Sequence, residues 1–180
     1  MGLSKTILST TSIAVIFPRF TIHDPLFTIH YPLFTIHQIV FHHISIRTAD
    51  IHRSISFYEC LGFKIAERFT TGYTLACWLE GLGGRIELIQ IPEPKPAPDA
   101  FGDEHYVGYY HLSFDLTDLA ADLGSWLEHF SATLQAAAQP APIVLLPPAQ
   151  QIIGTTVYEV MFINDPDSLP VELIHRGSAI

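Results

Sequence analysis

The sequence predicts an α+β fold built from two βαβββ modules, and three observations carry that reading. A short text occurs twice. His43-Ile44-Ser45-Ile46 leads to Arg85-Ile86-Glu87-Leu88-Ile89, and His111-Leu112-Ser113-Phe114 leads to Pro170-Val171-Glu172-Leu173-Ile174. These runs alternate with the period of a strand, and each pair encloses a stretch with helical spacing. Between the two copies, Pro92 to Asp103 holds four prolines and reads as a linker.

Gln38 to Arg47 is predicted as the first strand, with His43, Ser45 and Arg47 on one face and His42, Ile44 and Ile46 on the other. Asp50 caps a helix over Ile51–Leu61, whose stripe is Ile51, Ile55, Tyr58 and Leu61. Gly62 stops it. Strands follow at 63–67, 73–80 and 85–91, the last two joined through Gly81-Leu82-Gly83-Gly84.

The second module repeats the order. Its first strand is Tyr109–Leu116, with His111, Ser113 and Asp115 on one face. Asp118 or Thr117 caps a helix running to about Gln135, with Leu119, Leu123, Trp126, Leu127 and Phe130 as its stripe. Strands at 143–146, 155–163 and 170–175 complete it. The domain therefore spans 41–177, as module one (41–91), a linker (92–105) and module two (106–177).

Residues 1–40 are a different text. They hold one acid, Asp24, whereas the remainder carries seventeen acids against seven bases. Met1–Phe17 resembles the start of a signal peptide, but no small-x-small cleavage site follows, and the run is shorter than the roughly 20 apolar residues of a membrane span. A heptapeptide then repeats three times from Pro18, each copy carrying Phe-Thr-Ile-His. A proline in every repeat forbids a continuous helix. The expectation is a poorly ordered leader; His23, His30 and His37 make a weak metal-binding tract at most.

Composition narrows the partners. Nearly half the residues are apolar, enough for a packed core. A net charge of −9, with nine scattered bases, argues against binding a nucleic-acid backbone. Two cysteines, Cys60 and Cys77, make neither a disulfide framework nor a thiolate zinc site, and read as reduced thiols of a cytoplasmic protein.

The repeated His and Glu carry the chemistry. A carboxylate inside an apolar run is costly to bury unless something pairs with it. If the sheets curl so that their polar faces meet, His43, Glu87, His111 and Glu172 converge on a cavity. Two imidazoles and two carboxylates suit Ni²⁺, Zn²⁺, Co²⁺ or Fe²⁺ better than Ca²⁺ or Mg²⁺. His42 competes with His43 as ligand, and parity with Ser45 and Arg47 favours His43. One such residue alone reads as an ordinary polar side chain; the paired recurrence points to a metal.

Phe41-His42-His43-Ile44-Ser45-Ile46-Arg47, Ser56-Phe57-Tyr58, Leu61-Gly62-Phe63, Ile86-Glu87-Leu88, Tyr110-His111-Leu112 and Asp165-Pro166-Asp167 before Val171-Glu172-Leu173 together resemble the vicinal oxygen chelate superfamily. The His/Glu/His/Glu set is most similar to glyoxalase I. That resemblance implies isomerisation of the methylglyoxal–glutathione hemithioacetal to S-lactoylglutathione through an enediolate. It implies Glu172 as the base, Glu87 as ligand and possible partner base, Arg47 on a glutathione carboxylate, and a homodimer with sites between subunits. Ser168 stands where the family turn usually has Gly, and few other cations gather for glutathione.

Three other readings belong to the same superfamily. Methylmalonyl-CoA-type epimerases usually carry Gln where Glu87 stands. Extradiol dioxygenases use two histidines and one carboxylate, leaving room for dioxygen. Drug-sequestering members, which are not enzymes, dispense with the metal ligands.

Overall fold

The computed structural model describes residues 40–177; the heptapeptide repeats and their histidines lie outside them. Chain order is β1 (Ile44–Thr48), α1 (Ile51–Leu61), β2 (Lys64–Thr71), β3 (Thr74–Gly81) and β4 (Gly84–Gln90), then β5 (Leu112–Asp115), α2 (Leu123–Ala136), β6 (Val144–Ile153), β7 (Thr156–Asn164) and β8 (Pro170–Arg176). These form two four-stranded mixed sheets, ordered β1-β4-β3-β2 and β5-β8-β7-β6. The predicted pair of βαβββ modules is the fold.

Each module crosses from its first strand over a helix to the far edge of the sheet, then meanders back. The last strand thus lies parallel to the first, the single parallel pairing in each sheet. Elsewhere the pairings are antiparallel hairpins, whose loops can be short.

α1 forms where the spacing predicts it. Asp50 accepts from the backbone N–H groups of His52 and Arg53, and Gly62 closes the helix in the left-handed region at φ +112°. Its Ile51, Ile55, Tyr58 and Leu61 are all buried. Phe57 meets Phe130 of α2 edge-on, ring centroids 5.6 Å apart, and Phe63 meets Phe114 at 5.7 Å. One continuous core of buried side chains draws on both modules, including Leu79, Leu88, Leu123, Leu134, Ile163 and Leu173. Each buried Leu or Ile contributes about 1.5–3 kcal/mol relative to exposure.

Three boundaries differ from expectation. β1 begins at Ile44, because its partner β4 begins at Gly84 and the register pairs Ile44 with Ile86; continued backward, it carries Phe41 past the end of that strand. The second helix starts at Leu123 with Asp122 as its cap, rather than after Thr117 or Asp118. Asp122 accepts from both the backbone N–H and the hydroxyl of Ser125. Thr117 instead donates to Asp115, and Leu119 and Ala120 bond back to the Leu116 carbonyl in a separate turn, leaving Leu119 65% exposed. β6 runs on to Ile153 through Pro147 and Pro148. It is an edge strand with two register irregularities, so prolines there break no interior ladder.

Candidate metal centre

The parallel pairing of first and last strands makes the repeated text a structural unit. In the first sheet Ser45 pairs with Glu87, and Glu87 with Trp78 across β4–β3. In the second, Ser113 pairs with Glu172, and Glu172 with Phe162. Residues opposite one another in a sheet share a face, so each glutamate lies on its serine's face, and each histidine stands just before that strand.

His43 Nε2 and Glu87 Oε2 lie 3.5 Å apart; His111 Nε2 and Glu172 Oε2 lie 3.3 Å apart. All four side chains are partly buried, the carboxylates more than the imidazoles. The resemblance between the pairs ends at the third neighbour. Trp78 donates its indole N–H to Glu87 Oε1 at 3.1 Å, whereas Phe162 at the matching register has no polar hydrogen to give. Burial acts to raise the Glu87 carboxyl, but hydrogen bonds from Ser45 and Trp78 and the nearby His43 and His42 carry it below the ordinary value.

His42 stands behind His43. The two Nδ1 atoms are 2.6 Å apart, and Arg85, a pure donor, gives a hydrogen bond to His42 Nε2 at 2.5 Å. Arg85 also pairs with Glu80 and lies over the Trp78 ring, 5.2 Å from its centroid. A hollow of about 470 Å³ opens beside this group, lined by Phe41, His42, Glu80, Arg85 and the glycines of the β3–β4 turn. Arg47 is exposed on the Ser45 face and makes no ion pair among the described residues.

A family model for the glyoxalase/bleomycin resistance protein/dioxygenase superfamily matches residues 40–173, nearly the whole of both modules. The chain belongs to this superfamily. Among solved structures, it is similar to a glyoxalase family protein from Enterococcus faecalis (20% identity, TM-score 0.54, covering 76% of this chain and 97% of that one). A Bacillus cereus glyoxalase family protein is similar at 16% identity (TM-score 0.58, 80% and 99% covered). So is a glyoxalase/bleomycin resistance protein/dioxygenase domain from a Frankia species (18%, 0.53, 78% and 99%). At such identities these likenesses show the fold. No curated protein matches the sequence.

Members of the superfamily commonly bind a divalent metal, and the residues of this member fit one. Two imidazole nitrogens and two carboxylates are a borderline donor set. Within each pair, nitrogen and oxygen are spaced about as two ligands of one tetrahedral ion are, given bond lengths of about 2.0–2.2 Å. Among the described residues of a single chain, no three His, Cys, Asp or Glu side chains gather into a site. The four residues therefore stand as two separate His–Glu pairs, one per sheet. Sequence reasoning gave no role to Trp78 or Arg85, both on the Glu87 face. No helix among the described residues is long and apolar enough to cross a membrane.

Proposed function

We propose that this superfamily member is a metal-dependent, glyoxalase I-like lyase that isomerises the methylglyoxal–glutathione hemithioacetal to S-lactoylglutathione, working as a homodimer. The observation that carries the reading is the His–Glu pair repeated at matching registers in two sheets. Each pair offers two ligands, half of what the resemblance implies. In a two-fold dimer, His43 and Glu87 of one protomer face His111 and Glu172 of its partner, and two equivalent sites result.

His43, Glu87, His111 and Glu172 hold one divalent ion, nickel or zinc before cobalt or iron. When bound, the ion supplies a positive charge that acidifies the substrate C–H and steadies the negative charge developing on the adjacent oxygens. Glu172 takes the proton from that carbon and returns it to the neighbouring one, so no proton is lost to solvent and one residue serves as base and then acid. Glu87 serves mainly as ligand. Arg47, whose guanidinium has no carboxylate partner among the described residues, binds a carboxylate of the glutathione portion. Cys60 and Cys77 are free thiols, in keeping with a cytoplasmic protein.

The test is thioester formation from methylglyoxal and glutathione by protein loaded in turn with nickel, zinc, cobalt and iron. Turnover with at least one metal, lost in His111→Ala, is expected. Inactivity with all four sinks the lyase reading. Metal analysis that finds wild type and His111→Ala equally empty favours a binding protein.

A further inference from the structure

We infer that Trp78 is a positioning residue: its indole N–H holds Glu87 still as the stationary ligand, so that Glu172 is the carboxylate left to move. The inference rests on the proposed function for what the two glutamates do, and on three observations for their inequality.

The first is the hydrogen bond itself, Trp78 Nε1 to Glu87 Oε1 at 3.1 Å. It occupies the carboxylate oxygen that does not face His43, while Oε2 faces the imidazole. A carboxylate held through both oxygens loses its freedom to rotate about its last bonds.

The second is that the indole is fixed in turn. Phe69 lies edge-on to it with centroids 5.0 Å apart, His42 does the same at 5.2 Å, and Arg85 sits over the ring at 5.2 Å. An aromatic ring packed by three neighbours, through edge contacts and a cation–π contact, donates along one direction only.

The third is the comparison that the duplicated fold provides. Phe162 occupies in the second sheet the register position of Trp78 in the first. Its ring packs among Phe101, Tyr110 and His111 and has no N–H of its own to donate. At that register position Glu172 meets a phenyl ring, which offers its second oxygen no hydrogen bond. The asymmetry between the carboxylates is thus written on the strand next to them, by one indole against one phenyl ring.

Trp78→Phe removes the donor and keeps a ring, and Phe162→Trp offers the second glutamate the same clamp. The full chain has two tryptophans, Trp78 and Trp126, so ¹⁵N-labelled protein shows two indole N–H signals, assigned by Trp78→Phe. The Trp78 signal is expected to exchange slowly with water, and in Glu87→Ala to shift and exchange faster. In Trp78→Phe, affinity for zinc or nickel is expected to fall about 10–100-fold, the usual effect of losing a hydrogen bond to a metal ligand. Phe162→Trp is expected to lower kcat with little change in KM. An indole signal indifferent to Glu87→Ala, or Trp78→Phe binding metal as wild type does, overturns the inference while leaving the lyase reading intact. Failure of the lyase assay alongside a weakened Trp78→Phe metal site does the reverse.

Discussion

Tyr58 of α1 donates its phenolic hydrogen to Asp165 Oδ2 at 3.1 Å, tying the helix of the first module to the turn before β8 of the second. Both residues are buried, and Asp165 Oδ1 also accepts from the backbone N–H groups of Asp167 and Leu169. Burial pushes the Asp165 carboxyl from 3.8 up to about 6, against those hydrogen bonds. Burial likewise pushes Tyr58 well above its ordinary value.

The sign of the pH effect follows. With a folded pKa above the unfolded one, Asp165 contributes stability that is fully present below about pH 4 and is lost as pH rises through about 6. The gap is about two pH units, worth roughly 3 kcal/mol. Asp165→Asn keeps an acceptor for the two N–H groups and does not titrate. Relative to this variant, wild type is expected to lose roughly 3 kcal/mol between about pH 4 and 7, read from urea midpoints. A difference that stays flat across that range contradicts the assignment.

Ser168 is a non-glycine residue at φ +69°, in the turn where the family usually has Gly. Its Cβ costs about 1–2 kcal/mol in that region. Ser168→Gly is expected to raise the melting temperature by a few degrees, about 2–5 °C, and to leave activity unchanged. An unaltered or lower melting temperature counts against strain at this turn.

Gly81 shows the opposite constraint. A Cβ there lies 2.7 Å from Phe63 Cα and 2.8 Å from the Gly62 carbonyl oxygen, where the hairpin passes the end of α1. Backbone cannot swing aside as a side chain can. Gly81→Ala is expected to destabilise by about 1–3 kcal/mol, as overpacking does, while Gly84→Ala, with nothing within 4 Å, costs far less. Equal urea midpoints for the two variants contradict the close packing.

The duplicated His-apolar-Ser and apolar-Glu runs were legible because parallel pairing of first and last strands leaves a mark in the sequence: both must alternate, with their polar residues on one face. α1 was legible to the residue, since Asp50 and Gly62 are strong local signals. α2 was misplaced because Thr117, Asp118 and Asp122 are all plausible caps. The bonds of Thr117, a local one to Asp115 and a tertiary one from the Arg176 N–H, show that it belongs to a turn. Trp78 was missed although the turn encodes it. Gly81 pairs with Gly84 across a two-residue loop, so counting three residues back and three forward brings Trp78 to Glu87. The division of the four residues into two pairs, one in each sheet, depends on how two sheets are disposed in space, which strand periodicity does not report.

That division makes its own prediction. If each site joins His43 and Glu87 of one protomer to His111 and Glu172 of the other, His43→Ala and His111→Ala chains are each inactive alone. Mixed in equal amounts and allowed to exchange, half the dimers are mixed and each holds one intact site of two. About one quarter of wild-type activity is therefore expected to return. No recovery, with exchange of subunits demonstrated, contradicts an intersubunit site.

The most direct measurement compares wild type, Glu87→Gln and Glu172→Gln, each with its metal content determined, in the isomerisation of the methylglyoxal–glutathione hemithioacetal. Removing a general base costs about 10²–10⁴-fold, so Glu172→Gln is expected to lose at least that much turnover while retaining bound metal. Glu87→Gln is expected to lose metal affinity first. A Glu172→Gln protein that turns over at the wild-type rate contradicts Glu172 as the base, and a metal-loaded wild type that forms no thioester contradicts the activity itself.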